Sequence, residues 1–321
     1  MNRQGIYHRR VGYLTLFMLA FMSVAVAAPA PPAARYAAGA DDHNNPERVD
    51  IALVLAVDVS SSIESGERRF QREAYAEALS DPRVARMALG GGSGRVAIAY
   101  MEWSGTRFQR VHLPIRIMST PEELAQFGAE ILAISDRPND PMYVQPTAVG
   151  DALLAAETAM SALQVPARDY IIDISGDGVL NDGLAISAAR DHVLSMGLTV
   201  NGLPIEVLSG QAQNGSTSFE QVTRFYMDCV IGGPGAFHLV ARGFGDVRET
   251  LIMKLMLEMA HMEPDRKRGI AAAWNGGLIG NDARVLPATV LQLSPPAEEP
   301  RRRSNCGETE NVAHNPFRTE H

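Results

Sequence analysis

From residue 49 the chain reads "VDIALVLAV", apolar almost without a break. A short run of that kind predicts a central parallel strand covered on both faces. It ends abruptly at Asp58, and Ser60, Ser61 and Ser62 follow at once. "ESGERRFQREAYAEALS" at 64–80 places Phe70, Ala74 and Ala78 on one face of a helix. "GGGSG" at 90–94 reads as a loop. "RVAIAYMEWS" and "RFQRVHLPI" predict two strands joined as a hairpin through Gly105 and Thr106. "STPEELAQFGAEILAI" carries Ser119 or Thr120 as a cap, Pro121 at the first helical position, and Glu122 and Glu123 in the first turn.

A long loop, "SDRPNDPMYVQP", leads into the helical pattern "TAVGDALLAAETAMSALQ". "RDYIIDIS" is a second buried strand, running into "GDGVLNDG". Then come a helix ("LAISAARDHVLSM"), a strand ("LTVNGLPIEV"), a helix ("SFEQVTRFYMDCV"), a short strand ("AFHLV") and a closing helix ("DVRETLIMKLMLEMAH"). Strands alternating with helices predict an α/β fold over about 48–263. It is doubly wound, with a mostly parallel sheet and one antiparallel edge strand from the hairpin.

The ends read differently. "MNRQGIYHRR" is basic, the next eighteen residues are apolar, and Ala25-x-Ala27 is a small-residue cleavage pattern. Residues 1–27 therefore read as a secretory signal, so the protein is expected to be exported, periplasmic or secreted. If the segment stays uncleaved, it is an anchor and the protein touches the membrane. Residues 28–47 are Ala/Pro-rich and then polar, as in a flexible spacer. After Pro264 no apolar period is visible, so 264–321 reads as a mostly disordered tail, with "RVLPATVLQL" as a weak apolar piece.

Composition narrows the function classes. The 321 residues are 46% hydrophobic and 21% charged, an ordinary globular balance. The net charge of -8 argues against a nucleic-acid partner. Two cysteines, Cys229 and Cys306, allow one bridge or two free thiols.

In open α/β sheets, ligands sit at the carboxyl ends of the strands. Three segments bring oxygen donors to that edge. The first strand delivers Asp58, Ser60 and Ser62. The proline-rich loop ends at Thr147, and the next core strand runs into Asp177. Two carboxylates and three hydroxyls are hard donors, suited to Mg²⁺ or Mn²⁺ and not to zinc. Singly, each of these residues is an ordinary turn former or helix cap. Their joint placement at strand ends is what points to a site.

Asp58-Val-Ser60-Ser-Ser62, Thr147 before "AVGDAL" and Asp177 in "ISGDG" resemble the metal-ion-dependent adhesion site of von Willebrand factor A domains. The resemblance covers about 48–263. "YMDCVIGGPGAF" and "ISGDGVLND" further resemble a bacterial group of exported A-like domains. The resemblance implies that Ser60, Ser62 and Thr147 bind the cation directly, and that Asp58 and Asp177 bind directly or through water. It also implies an open coordination position for an acidic side chain of a partner protein, and no catalytic residues.

Two alternatives compete with that reading. "GDGVLND" resembles the acidic motif of haloacid-dehalogenase-type phosphotransferases, with Asp58 as nucleophile and Asp177 with Asp182 on the metal. That family places a second carboxylate two residues after the nucleophile, where this chain has Ser60. The other alternative is a metal-free scaffold.

Overall fold

A computed structural model describes residues 35–36, 47–137, 139–206, 219–260, 264–275 and 306. The expected signal segment and most of the spacer and tail lie outside the described residues. The sheet has five strands in the order β3-β2-β1-β4-β5. These are β1 (Val49–Asp58), β2 (Val96–Trp103), β3 (Gln109–Met118), β4 (Ala167–Gly176) and β5 (Thr199–Pro204). β1 lies between β2 and β4, parallel to both, and β3 is the antiparallel edge. This is the doubly wound α/β fold expected from the pattern. Among the described residues no helix is long and apolar enough to cross a membrane.

All ten residues of β1 are buried. Alternation along the strand sorts them into two cores. Ile51, Leu53, Leu55 and Val57 join α1 (Ser65–Ser80), α2 (Pro82–Ala88), α3 (Pro121–Leu132) and α7 (Phe244–Met259) on one face. Ala52, Val54 and Ala56 join α4 (Val149–Met160) and α5 (Ile186–Ser195) on the other. Helices on both faces leave only the strand ends open to ligands. Past β5, residues 237–241 run alongside it through backbone hydrogen bonds such as Leu239 N to Gly202 O.

Four local features refine the pattern reading. Thr120, not Ser119, caps α3, in a reciprocal pair with Glu123. Helix α2 was not expected; Asp81 caps it, accepting from Arg83 N at 2.7 Å, with Pro82 leading. The single helix expected over 218–230 is α6 (Phe219–Phe225) followed by a π turn, Tyr226–Val230. And the tail begins with α8 (Pro264–Asn275), whose Ile270, Ala271 and Trp274 join the first core. Asn275 fastens its end, accepting from Val240 N and donating to His238 O. The disordered reading is therefore corrected over these residues. Cys306 is bonded to Cys229 on the π turn, which settles the cysteine alternatives as one bridge.

Two buried ion clusters brace this frame. Lys254 of α7 is fully buried and donates to both Asp173 of β4 and Glu258, one turn further along its own helix. Arg72 of α1 makes a two-pronged contact with Glu102 of β2 at 2.7 and 2.9 Å. Arg72 also reaches Ile134 O and Asp136, at the start of the loop that leads to Thr147. Burial pushes the Glu102 carboxyl up, but the adjacent His112 and Arg72 outweigh it and hold it at about 2.

Two outcomes follow for stability. Lys254→Met leaves two carboxylates buried without their cation, and urea unfolding should report a loss of about 3–5 kcal/mol. An unchanged midpoint would mean that the carboxyls are uncharged in the fold. Glu102 has a folded value below its ordinary 4.5. Its contribution is therefore complete above pH 4.5 and is lost as pH falls through about 2. Titrating the wild type across that window should cost about 3 kcal/mol that Glu102→Gln, already weaker at pH 7, does not lose again.

Candidate metal centre

β1 ends at Asp58, level with Trp103 of β2. The chain turns there because the Ser60 amide donates back to Asp58 Oδ1 at 2.7 Å, a local side-chain turn of the kind aspartate favours. The turn sends the hydroxyls of Ser60 and Ser62 the same way, 3.2 Å apart. Ser62 donates to Asp177 Oδ1 at 2.6 Å, which joins the end of β4 to the turn. Thr147 Oγ1 lies 3.4 Å from Ser60 Oγ. All five residues singled out in the sequence thus lie in one connected cluster at the carboxyl edge of the sheet. Asp58, Ser60 and Thr147 are buried, and Ser62 is exposed at the mouth.

Helix capping does not account for the placement of Ser62 or Thr147. The N-cap of α1 is Glu64, backed by Glu67, and not Ser62. The N-cap of α4 is Ala148, and no side chain caps that helix, so Thr147 is not a cap. Its hydroxyl is directed to the cluster instead.

The electrostatics are lopsided. Burial and then the charge of Asp177 push Asp58 up to about 8. Burial also pushes Asp177 up, against the hydrogen bond from Ser62. Among the described residues neither carboxyl has an ion-pair partner, so the cluster sets two raised acids beside three hydroxyls with no cation from those residues. Every donor in it is an oxygen. Among the described residues, no three His, Cys, Asp or Glu side chains group as a metal site. A cation held here would depend on the three hydroxyls as much as on the two carboxylates, which suits a small hard ion.

Backbone contacts that no motif announces fix the loops. Asn181 Oδ1 accepts from Thr147 N at 2.7 Å, and Asn181 N donates to Thr147 O. Ser61 N donates to Gln145 O, and Ala148 N to Ser104 O. Asp182, the second metal carboxylate of the phosphotransfer alternative, lies outside the cluster. Its Oδ2 accepts from Thr106 N and Oγ1 at 3.0 and 2.9 Å. Lys254, one of the few lysines in the chain, is occupied with Asp173 and Glu258.

Gly176, the last residue of β4, holds the centre open. A Cβ there would lie 2.7 Å from Asp58 Oδ2. Gly176→Ala should therefore cost about 1–3 kcal/mol in urea unfolding, as overpacking does. The control Gly66→Ala meets nothing within 4 Å and should cost nothing. Equal midpoints for the two variants would show that the site has slack.

A family model described as "Protein of unknown function (DUF1194)" matches residues 48–263, and the chain belongs to that family. No curated protein matches it. Among solved structures, proximal thread matrix protein 1 from the mussel byssus is 15% identical, with a TM-score of 0.46 over 66% of this chain and 48% of its own. The same protein with a zinc-occupied MIDAS motif is 16% identical, with a TM-score of 0.44 and the same coverage. The pilus adhesin SpaC from Lactobacillus rhamnosus GG is 12% identical, with a TM-score of 0.45 over 66% of this chain and 31% of its own. The chain thus spans about half or less of those proteins.

Proposed function

We propose that this member of the family is an exported domain that binds Mg²⁺ or Mn²⁺ through Asp58, Ser60, Ser62, Thr147 and Asp177. It uses the ion to engage a protein partner that offers an acidic side chain. The observation that carries this reading is the convergence of two carboxylates and three hydroxyls with no cation facing them. Burying like charges without compensation is costly, and a divalent ion is the simplest compensation for such a set. Five protein oxygens around one small ion, some of them reaching it through water, leave a position for an outside oxygen. The positive charge held there would attract a carboxylate to a surface that is otherwise acidic.

Export is supported from two sides. The first 27 residues have the layout of a secretory signal. The Cys229–Cys306 bridge suits an oxidising compartment. The acidic net charge leaves nucleic acid an unsuitable partner.

Calorimetric titration of the mature chain with Mn²⁺ or Mg²⁺ tests the site. The wild type should bind one ion, and Asp177→Ala should bind at least tenfold more weakly. Asn181→Ala, which removes the acceptor for Thr147 N, should weaken binding severalfold while the protein stays folded. A wild type that takes up neither ion, or an Asp177→Ala chain that binds as well, would sink the assignment.

A further inference from the structure

The segment "YMDCVIGGPGAF", residues 226–237, supplies none of the five cluster residues, yet it is built against them. Tyr226 opens the π turn, and the Ile231 amide reaches back five residues to its carbonyl. π turns inside helices mark places where a side chain is put to a particular use. The Tyr226 side chain is fully buried, and two glycines on adjacent strands make room for it. A Cβ on Gly202 of β5 would sit 2.7 Å from Tyr226 Cδ1. One on Gly176 of β4 would sit 2.8 Å from the Tyr226 hydroxyl as well as 2.7 Å from Asp58 Oδ2. The phenol oxygen and the carboxylate oxygen therefore press on the same side of Gly176.

Both of those atoms are buried, and among the described residues neither has a hydrogen-bond partner. They are complementary, because a phenol hydroxyl can donate to a carboxyl oxygen. An orphaned buried donor beside an orphaned buried acceptor is costly unless they serve each other. Asp58 Oδ1 is already taken by the Ser60 amide.

We propose that Tyr226 is a positioning residue for the metal centre. Its hydroxyl donates to Asp58 Oδ2 while the Ser60 amide holds Oδ1, so the carboxylate is fixed between two donors. The proposal rests on the metal-binding reading given above. It also gives the rest of the segment a purpose. Cys229, three residues on, is bonded to Cys306. Arg190 Nη1 donates to the carbonyls of Asp228 and Cys229 at 3.2 and 3.4 Å. Gly232 exchanges both backbone hydrogen bonds with Val200 of β5. The π turn is thus tied down around Tyr226, and its ring cannot swing away from the slot. Partners that orient metal ligands from behind are commonly worth 10–100-fold in affinity.

A double-mutant cycle on the full chain in EDTA tests the pair without any metal. Urea unfolding is measured for the wild type, Tyr226→Phe, Asp58→Ala and the double variant. Loss of the hydroxyl should shift the midpoint when Asp58 is present and hardly at all when it is gone. Additive shifts would overturn the pairing. A slowly exchanging hydroxyl proton, seen by NMR in the wild type and lost in Tyr226→Phe, would support it should Asp58→Ala not fold. Mn²⁺ titration then tests the positioning, with Tyr226→Phe expected to bind roughly tenfold more weakly. A coupled cycle with unchanged Mn²⁺ affinity would leave Tyr226 structural and overturn the role. A wild type that binds no Mn²⁺ would take the metal reading and the positioning role down together, while the cycle would still report the bond.

Discussion

A carboxyl group at the inner end of the central strand, buried with no cation beside it among the described residues, is the constraint on which the rest of this structure turns. β1 is enclosed on both faces and both edges, so whatever stands at its end is shielded from water. An aspartate in that place must be met by donors. The Ser60 amide is the donor it is given, and the hydroxyls of Ser60, Ser62 and Thr147 then link that turn to Asp177. The loops after β1 and β4 and the one before α4 are held relative to one another because their hydroxyls and carboxylates meet there.

The loop that carries Thr147 shows how the frame supports the centre. It leaves α3 near Ile134 and Asp136, where Arg72 and Arg68 of α1 hold it by hydrogen bonds. Tyr143 stacks on the Arg68 guanidinium at 3.9 Å, and Arg110 of β3 grips Asp140. Each contact sets an arginine against a carboxylate, a carbonyl or an aromatic ring of the loop, which is how a long irregular loop is kept in one conformation. The Glu102 carboxyl under Arg72 anchors that network to the sheet two residues before Ser104, whose carbonyl accepts from Ala148 N.

How much of this the sequence reveals depends on how local the cause is. β1, the hairpin and the helix starts are legible because burial on two faces, alternation and capping leave short-range patterns. Asp58, Ser60 and Ser62 are legible for the same reason, Asp177 because it follows a buried strand, and Thr147 because it ends the loop before a helix. Gln145 is not legible, since it acts through its backbone carbonyl, and Asn181 is not, since its side chain accepts from an amide 34 residues away. The break between α6 and the π turn is invisible in the helical period. It is tied to the Tyr226 ring, which occupies space that Gly202 leaves on a different strand. Asp81-Pro82 did announce α2, but two turns of helix are easily read as a loop. Helix α8 begins with charges and shows its apolar face only at Ile270, Ala271 and Trp274, so its packing on the core decides it. The Cys229–Cys306 bridge spans 77 residues, and no local pattern could single it out from two free thiols.

The fold carries its own comparison for the centre. Asp173 and Glu258 are also carboxylates buried at a sheet–helix boundary, and burial pushes both of them up. There the chain supplies Lys254, fully buried between them, as the compensating charge. At Glu102 it supplies Arg72, with His112 alongside. In both of these clusters the chain itself supplies the cation. At Asp58 and Asp177 it builds hydroxyls instead, and places one of them, Ser62, at the solvent edge. Hydroxyls cannot neutralise a carboxylate, but they can ligate what does. The difference between the three clusters is therefore one of composition: two contain a cation from the chain, and among the described residues the third contains hydroxyls in its place.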